Sequence, residues 1–594
     1  MLVNGQLDLF PIWRLLRHYN KSKLKGDLRA GFNVALLAFP QGMAYALIAG
    51  LPIQYGIYGS IIAAVLGAIF SRSHFIVLGP TNAPSIVLMS AFAVMGIAGQ
   101  EKLALIPLLL VMVGVLLIIG AYLRVANLTE YISRSVITGY ITAAALLIIA
   151  NQIRNILGFG FPEQVSTFYD VCRFTLLYLG DYEWPSLVLG LLTLGVYLPL
   201  QQKLRTFPNI AITLIIMSFI AYGMQLANIP FGEDTFLQSV SVDTWKVTLP
   251  VFNFDAISEL ANTALAVALL CILEGVSIGK SLAARSGVRL NTNQEMMAMG
   301  IANIGCGLFS GVPASGSLTR STLNLNSGAS TALSSLFNGF LCVIGLLVFG
   351  SFIGYIPRPT LAVLVSVIGV MLINRHAIRI VTRSTRSDAV VFYTTLLSGL
   401  LFPLNTAIYF GVGLSIALFL RKARTPEMVE YQFNPEGQLT EIGKDEARSN
   451  PEISIVHVEG HLFFGAAELF RDQVRRVFED PNLKVVILKM RNARHLDATS
   501  VMALEELILY MKERERTLLV SEARKDVVRI FKKSGLLKRL GRENIFADIS
   551  TNPTLSSAKA LKRAQKIIGD EKVRVSIYAR ETGSSGKSSK SEEG

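Results

Sequence analysis

The chain has 594 residues, of which 52% are hydrophobic and 16% are charged, and its mean hydropathy is +0.48. A soluble protein carries about 25% charged residues, so the composition excludes an ordinary soluble protein and indicates a multi-pass membrane protein. The net charge of +14 is interpreted as basic residues that flank membrane spans on the cytoplasmic side, not as nucleic-acid binding.

The first segment, residues 1–26, is predicted to be cytosolic. Basic residues are concentrated before the first long apolar run, which places the N-terminus in the cytoplasm by the positive-inside rule; they are Arg14, Arg17, Lys21, Lys23, Lys25 and Arg29.

The next segment, from Ala30 to Ser71, contains no Asp, Glu, Lys or Arg. A charge-free apolar run of this length belongs in lipid or in the core of a membrane protein. It is interrupted at Phe39–Gly42 and at Leu51–Ile53 by Pro and Gly, which are tolerated at membrane depth where the backbone lines a cavity. We therefore predict broken helices in this region, as in secondary transporters.

Apolar segments continue to Leu420, so residues 27–424 are predicted to form one transmembrane domain. The basic run Arg421–Arg424 follows and places the next segment in the cytoplasm, which requires an even number of crossings. Continuous spans are predicted at 103–122, 136–153, 210–226, 333–349 and 389–404. Short or interrupted spans are predicted at 32–49, 57–70, 82–98, 294–309 and 317–330.

Two Gly/Pro interruptions occupy corresponding places in two halves of this domain. They are Gly79–Ser85 and Gly311–Arg320. Paired interruptions of this kind indicate the substrate site of a transporter built from inverted repeats.

The rest of the chain is predicted to comprise a linker at 425–450, a small α/β domain at 451–570 and a polar tail at 571–594 whose last dozen residues are disordered. Alternating strand and helix patterns carry the α/β prediction. The strands are expected at 453–458, 485–488 and 517–520, and the helices at 466–478, 500–512 and 527–534. A domain of that length with one core should fold by itself.

Nothing in the sequence is typical of a catalytic or metal site. The four Cys residues form no Cys-x-x-Cys pair and the six His residues form no His-Glu-x-x-His pattern. We therefore expect no enzyme activity, no cofactor and no metal ion.

Four patches together resemble the sulfate permease family, also called solute carrier family 26. They are Asp27–Gly31 with Phe39–Tyr45, Leu51–Ser60 with Gly79–Pro80, Asn293–Asn303, and Ser317–Arg320. The soluble end resembles a STAS domain, with Leu496–Thr499 at its expected turn. Two positions depart from the family pattern: the run Ser71–Phe75, and Asn82 where a small apolar residue is usual.

The resemblance implies a polytopic α-helical membrane protein with 14 transmembrane segments in 7+7 inverted repeats, plus a cytosolic α/β STAS domain. The third and tenth segments would be half-helices whose N-termini face each other, and a core domain would move as an elevator against a gate domain. It also implies a homodimer in the lipid bilayer, with the STAS domain near the subunit contact.

Facing helix N-termini suit an anion, because their free N–H groups and dipoles are positive. Thr81 and Asn82 are placed at one end, Ser317 and Thr319 at the other, and Arg320 adds a full charge. The resemblance implies that Thr319 and Arg320 contact the anion and that Gln41 and Tyr45 line the site. The alternatives are that Thr319 only caps its helix, that Arg320 snorkels to the surface, and that Gln41 and Tyr45 only pack.

Glu274 is the only charged residue in the apolar run Ala264–Glu274. An intramembrane carboxyl is suited to bind and release a proton, and it matches the family's glutamate for proton coupling or charge compensation. It could instead be a structural partner of Arg320 or Lys280. A sodium site is less favoured, because no second acidic residue is evident nearby.

Asp497 and Thr499 match positions at which related bacterial STAS proteins are phosphorylated. Capping of a helix by Thr499 is favoured over regulation.

We therefore predict a proton-coupled secondary transporter of a small anion in a bacterial inner membrane, with both termini in the cytoplasm. The substrate classes are sulfate, bicarbonate, chloride and dicarboxylate. The alternatives are a sodium-coupled bicarbonate symporter and a membrane-bound sensor that acts through its STAS domain. A uracil- or xanthine-type permease is disfavoured by Arg320 and the STAS domain.

Overall fold

The chain forms two compact units, residues 1–416 and 417–594. The structure is a computed structural model. It describes residues 7–17, 19–126, 133–160, 165, 167–203, 209–232, 235–241, 245–423, 427–433, 439–442, 451–461, 464–477, 480–494, 496–549 and 555–569. The tail whose end was predicted to be disordered lies outside these residues.

The first unit is helical apart from two short strands. Its helices are α1 (Pro11–Leu16), α2 (Lys21–Ile48), α3 (Ile53–Phe70), α4 (Asn82–Met95), α5 (Gly99–Tyr122), α6 (Arg134–Leu157), α7 (Phe168–Leu177), α8 (Trp184–Lys203), α9 (Asn209–Leu226), α10 (Phe254–Ser286), α11 (Thr292–Leu308), α12 (Leu318–Asn326), α13 (Leu333–Phe349), α14 (Arg358–Leu372), α15 (Arg375–Ser384), α16 (Arg386–Leu401) and α17 (Leu404–Ala423). The first unit ends at Ile416, within α17. The strands are β1 (Leu78–Pro80) and β2 (Ala314–Gly316).

Among the described residues, eight helical segments are long and apolar enough to cross a membrane, one of which, Arg358–Ser384, comprises α14 and α15; α4 and α13 are shorter apolar helices. A multi-pass helical membrane domain is therefore confirmed, whereas the count of 14 spans stays a prediction. Four of the five predicted continuous spans lie within single helices. The fifth extends too far, because α16 ends at Leu401 and α17 begins at Leu404.

The predicted break at Phe39–Gly42 is wrong, because α2 continues through Pro40. A proline removes one intrahelical hydrogen bond, and neighbouring helices can compensate at membrane depth. Here α2 packs on α3 and α13. Gly42 permits the close approach to α3, since a Cβ on Gly42 would lie 2.6 Å from the carbonyl oxygen of Gly56.

The second interruption, at Leu51–Ile53, does separate α2 from α3. The segments 57–70 and 294–309, which were predicted to be short or interrupted, lie almost wholly in the unbroken helices α3 and α11.

The helices pack in two groups that correspond to the predicted core and gate. The core group consists of α2, α3, α4, α5, α10, α11, α12 and α13, which contact one another and the two strands. The gate group consists of α6, α8, α9, α14 and α16. Contacts between the groups include those of α2 with α9 and α14, and of α4 with α6.

At the centre of the core group, β1 and β2 form an antiparallel pair in which Leu78 lies opposite Gly316 and Pro80 lies opposite Ala314. Each strand leads directly into a short helix, α4 or α12. The two Gly/Pro interruptions found in the sequence therefore meet in space.

The second unit is an α/β domain with a six-stranded sheet in the order β4-β3-β5-β6-β7-β8. Strands β5 (Ile453–His461), β6 (Val485–Arg494), β7 (Thr517–Ala523) and β8 (Ile545–Ala547) are parallel, and β3 (Glu427–Phe433) pairs antiparallel with β5 and with β4 (Leu439–Glu441). The helices are α18 (Phe464–Val477), α19 (Ala498–Lys512), α20 (Lys525–Ser534), α21 (Leu536–Leu540) and α22 (Leu555–Ile568).

Both faces of this sheet are covered, which is typical of parallel strands. On one face Val456 and Leu488 pack with residues of α18 to α21, including Phe470 and Phe531. On the other face Ile455 and Ile487 belong to a smaller cluster with α22. The predicted strands and helices of this domain are all present.

The segment predicted as a linker, 425–450, contributes β3 and β4 to the sheet. The domain therefore begins earlier than predicted. The sequence pattern did not show this, because β3 pairs with residues of β5 that lie 24 to 32 positions further along the chain.

We expect a fragment 451–569 to be less stable than a fragment 427–569. Without β3, strand β5 becomes an edge with unpaired backbone groups. The free energy of unfolding should fall by about 1 to 3 kcal/mol, because each cross-strand pair contributes about 0.2 to 1 kcal/mol. Urea unfolding followed by circular dichroism measures the difference. A fragment 427–594 serves as the control and should match 427–569. Equal urea midpoints for the two N-terminal boundaries would contradict a structural role for β3.

Candidate functional site

Two helix N-termini meet at the β1–β2 pair. Thr81 is the N-cap of α4 and Ser317 is the N-cap of α12. The antiparallel register places the start of α4 next to Ala314 and the start of α12 next to Leu78. Strands of this length span about 10 Å, so the two positive helix ends lie close to each other. The predicted arrangement of facing half-helices is present.

Arg320 lies in the first turn of α12, and its side chain is 1% exposed. A terminal guanidinium nitrogen, Nη2, donates to the carbonyl oxygen of Pro80 at 2.6 Å. Its Nε is buried and has no hydrogen-bond partner among the described residues. Arg320 is thus a buried cation fixed against β1, and the alternative of a snorkelling surface residue is wrong.

Gly79 makes room for this guanidinium. A Cβ on Gly79 would lie 2.8 Å from Nη1 of Arg320 and 3.0 Å from its Cζ. Any larger residue at this position would displace the charged group. The glycine of the Gly79–Pro80 motif is therefore explained by close packing of a side chain on β1.

Asn303 of α11 forms two hydrogen bonds with the backbone of β2. Its Nδ2 donates to the carbonyl oxygen of Ala314 at 2.8 Å, and its Oδ1 accepts from the N–H of Ala314 at 3.0 Å. The side chain thereby supplies the two hydrogen bonds that a further strand would make. The sequence analysis quoted Asn303 within a family patch but gave it no role.

Glu274 of α10 is linked to the start of α4. The hydroxyl of Thr81 donates to Oε2 of Glu274 at 3.2 Å. In the described structure the side chain of Glu274 bonds to Thr81 and the guanidinium of Arg320 bonds to Pro80, so the two charges form no ion pair. The alternative that Glu274 is a structural partner of Arg320 is therefore not what the structure shows.

The gate group faces Glu274 through Tyr140 of α6. Both residues line a narrow space between the core and gate helices, together with Leu273 and Ile408. The hydroxyl of Tyr140 donates to the carbonyl oxygen of Ala83 at 3.4 Å, in the first turn of α4. Tyr140 could not be singled out from the sequence, because it lies in an ordinary apolar span.

Gln41 and Tyr45 of α2 are 5% and 4% exposed. In the part of the chain that the structure describes, Oε1 of Gln41 and Oδ1 of Asn82 are buried and have no hydrogen-bond partner. The nitrogen and oxygen of an amide are interchangeable by a half-turn, so either side chain can present its NH₂ group instead. Unsatisfied buried polar groups of this kind suit a site that binds a polar ligand.

Thr319 is exposed, as is Leu318, whereas Ser317 and Arg320 are buried. Its hydroxyl lies 3.2 Å from that of Ser317. The cap of α12 is Ser317, whose Oγ accepts from the N–H of Arg320 at 3.4 Å. The alternative that Thr319 caps the helix is therefore wrong.

In the α/β unit, the cap of α19 is Asp497, which accepts from the N–H of Ser500 at 2.9 Å. Thr499 is exposed in the first turn. The favoured interpretation of Thr499 as a capping residue is wrong, because the neighbouring aspartate fills that role. A regulatory role of the two residues stays a prediction.

Comparison with known proteins gives a consistent result. The sulfate permease family model matches residues 24–395, and the STAS domain model matches residues 445–552. "Sulfate transporter 4.1, chloroplastic" of Arabidopsis thaliana is 30% identical over 572 residues, which cover 92% of this chain and 82% of the relative. "Putative sulfate transporter YvdB" of Bacillus subtilis is 25% identical over 534 residues, covering 89% of this chain and 97% of the relative.

Solved structures show the same fold. A structure of SLC26A9 superposes with a TM-score of 0.82 at 20% identity and covers 94% of this chain and 93% of that one. The transmembrane domain of the cyanobacterial bicarbonate transporter BicA gives a TM-score of 0.59 at 20% identity, covering 66% of this chain and 99% of that domain.

We predict that Gly79→Ala weakens anion binding by about tenfold or more, because the new Cβ displaces the guanidinium of Arg320 and overpacking of this kind is costly. Gly195→Ala in α8 is the matched control, since a Cβ there contacts nothing within 4 Å. Binding of radiolabelled sulfate to purified protein measures the effect. Unchanged binding in Gly79→Ala, with the protein folded, would show that the position of Arg320 is not needed.

Proposed function

Because the chain belongs to the sulfate permease family of multi-pass anion transporters, we propose that it is a secondary active transporter of sulfate. The protein is a transporter and not an enzyme, as the family and its curated relatives are. The observation that carries the proposal is the buried guanidinium of Arg320 beside two helix N-termini. Sulfate is chosen among small anions because the curated relatives are named as sulfate transporters.

The proposed anion site consists of the two helix ends and the side chains around them. A tetrahedral oxyanion between α4 and α12 would accept hydrogen bonds from free N–H groups of both first turns and from Arg320. Its polar lining is Gln41, Tyr45, Thr81, Asn82 and Ser317, while the exposed Thr319 lies at the edge. Movement of the core group against the gate group, as an elevator, would carry this site across the membrane.

The proposed coupling ion is a proton, which would be bound at Glu274. The hydrogen bond from Thr81 to Glu274 joins this carboxyl to the N-terminus of α4. Protonation would therefore act directly on the proposed anion site. The rival is a sodium-coupled bicarbonate symporter. A bacterial inner-membrane location, cytoplasmic termini and a homodimer are part of the same proposal.

Uptake into proteoliposomes tests the function as a whole. Purified protein should accumulate [³⁵S]sulfate when a pH gradient is imposed, and bicarbonate, chloride and dicarboxylates should be compared as competitors. Stimulation by a sodium gradient instead would favour the symporter. Absence of flux for every anion under every gradient, with a ligand bound by the α/β domain, would favour the sensor.

Arg320→Ala should reduce sulfate affinity about 100-fold or more, because removal of one partner of a buried charge interaction costs several kcal/mol. Thr319→Ala should change it only about twofold, since its hydroxyl is exposed and the helix end remains. Both affinities are measured by competition in the uptake assay, and monodisperse elution of the variants shows that they fold. Wild-type affinity in Arg320→Ala would disprove the assigned site.

Glu274→Gln should lose uptake driven by a pH gradient but keep sulfate exchange at equal pH. The amide resembles the protonated carboxyl in shape and charge but cannot release a proton. The ratio of gradient-driven uptake to exchange, measured in the same proteoliposomes, separates coupling from binding. A variant that retains wild-type pH dependence would place the coupling group elsewhere.

A further inference from the structure

The segment that precedes the first long helix is fixed to the core group. It comprises residues 8–19, of which the structure describes all but residue 18, and is called the N-terminal strap below. Gln294 of α11 holds one end of the strap, because its Oε1 accepts from the N–H of Asp8 at 2.8 Å and its Nε2 donates to the carbonyl oxygen of Asp8 at 2.8 Å. The carboxylate of Asp8 also forms an ion pair with Arg72 at 3.1 Å, in the connection between α3 and β1.

Tyr19 fixes the other end of the strap. Its hydroxyl donates to Oδ2 of Asp27 at 3.1 Å. Asp27 is buried in α2, and its Oδ1 accepts from the N–H groups of Ser330 and Thr331 at 2.7 Å and 2.9 Å. These partners belong to the core group and its connections, so the strap is attached to that group at both ends.

Between its two anchors the strap exposes large apolar side chains, which are Leu9, Phe10, Trp13 and Leu16. Trp13 is 63% exposed. Phe10 contacts Phe70 at the end of α3, with ring centroids 5.5 Å apart, yet its ring is still more than half exposed. A single exposed apolar residue is ordinary, whereas a cluster of them in one short segment marks a contact surface.

The exposed apolar surface continues along α2. Exposed residues recur there at every fourth position and therefore share one face of the helix; they are Leu24, Leu28, Phe32 and Leu36. Since α2 is long and apolar enough to cross a membrane, this face is suited to contact lipid. Leu24 lies about 4.5 Å along the axis from Lys21, where α2 begins. The strap leads into α2 at that end, which is the level at which hydrocarbon gives way to lipid headgroups.

Basic side chains surround the same level. Arg17, Lys21 and Lys25 are exposed and form no ion pair with a described residue. Residues 1–6 and 18 contain no acidic residue. Lys21 lies in the first turn of α2, where the helix dipole disfavours a positive charge, so its charge does not serve helix stability. The positive-inside rule accounts for the basic residues but not for the apolar cluster beside them.

We propose that the N-terminal strap is an interfacial lipid-binding element. It places Trp13 and its apolar neighbours at the headgroup level of the cytoplasmic leaflet, and anionic phospholipids bind to Arg17, Lys21 and Lys25. A tryptophan suits this depth, because its ring is apolar and its N–H group needs a polar partner. An apolar face combined with basic residues is typical of elements that lie in the membrane surface.

Anionic headgroups are also favourable at this place for two physical reasons. Phosphate oxygens accept charge-assisted hydrogen bonds from Arg and Lys, and a negative charge is stabilised near the N-terminus of a helix such as α2. Only the side of the membrane is taken from the proposed function; the lipid contact itself does not depend on transport. Because both anchors lie on the core group, the strap would connect that group to the lipid surface.

Quenching of Trp13 by brominated phospholipids tests the position of the strap. The full chain is reconstituted in nanodiscs of phosphatidylcholine and phosphatidylglycerol, with bromine at a shallow or a deep position of the acyl chain. The signal of Trp13 is the difference between wild type and Trp13→Phe, since both retain Trp184 and Trp245. The shallow bromine should quench it most, because an interfacial element lies about 5–10 Å into the boundary region, and iodide in solution should have little effect.

Two results of this measurement would overturn the proposal. Strong quenching by iodide would place Trp13 in water. Absence of quenching by iodide and by both lipids would show that protein covers the strap, either the α/β unit or a second copy of the chain.

Energy transfer from Trp13 to dansyl-labelled phosphatidylglycerol tests the basic residues. The triple variant Arg17→Gln, Lys21→Gln, Lys25→Gln should need at least about fivefold more labelled lipid for half-maximal transfer, which is the effect of about one basic residue near an anionic surface. Dansyl-labelled phosphatidylcholine should show no such difference. The matched control removes the same charge from three exposed lysines of α22, as Lys559→Gln, Lys562→Gln, Lys566→Gln. An unchanged midpoint in the strap variant, or an equal change in the control, would overturn the anionic-lipid contact.

Failure of the strap and failure of the proposed function are distinguishable, because neither measurement requires transport. Protein that accumulates sulfate while iodide quenches Trp13 would overturn the strap and leave the proposed function standing. Trp13 at the headgroup level, in protein that carries no anion under any gradient, would support the strap and contradict the proposed function.

Discussion

The burial of a positive charge at the meeting point of two positive helix ends is the constraint on which the site depends. Arg320 is buried at the β1–β2 pair, its guanidinium contacts a carbonyl oxygen, and it forms no ion pair with Glu274. The N-termini of α4 and α12 add partial charges of the same sign. Burying such a charge is costly unless it is paired, and an anion bound at the proposed site would reduce that cost. Anion binding should accordingly stabilise the fold as well as serve transport.

Much of the surrounding structure holds this charge in place. Gly79 leaves space for the guanidinium, and Asn303 fixes the backbone of Ala314. A Cβ on Gly316 would lie 3.2 Å from the Cα of Gly275, so β2 lies closely against α10, the helix that carries Glu274. The proposed anion site and the proposed proton site therefore lie on one packed group of helices, as the proposed elevator mechanism requires.

The sequence predicted the features that depend on composition and on local chemistry. The charge-free apolar runs gave the membrane domain, the paired Gly/Pro motifs gave the facing half-helices, and alternation of strand and helix patterns gave the α/β unit. Features that depend on distant neighbours were missed. Pro40 continues a helix because α3 and α13 pack on it, and β3 is a strand because β5 pairs with it.

The sequence also predicted some residues of the candidate site and missed others. Arg320 and Glu274 were found because isolated charges in apolar segments are conspicuous. Capping was an alternative for Thr319 and the favoured interpretation of Thr499, whereas the caps are Ser317 and Asp497, since helix starts are uncertain by a residue or two in a sequence. A cavity lined by Arg154 and Arg358, among other residues, could not be found from any local sequence pattern. Its arginines are about 200 positions apart in the sequence, and only packing of α6 against α14 brings them together.

Thr81 offers a physical route by which proton and anion binding would be coupled in the proposed mechanism. An ionised Glu274 accepts a hydrogen bond from the hydroxyl of Thr81, so that hydroxyl cannot donate to an anion at the start of α4. Protonation of the carboxyl weakens this interaction and frees the donor. It also removes a negative charge from the neighbourhood of the anion. Both effects favour anion binding when the proton is bound, and reciprocity requires that a bound anion favours protonation by the same free energy. A site with this linkage would bind the proton and the anion together, which symport requires.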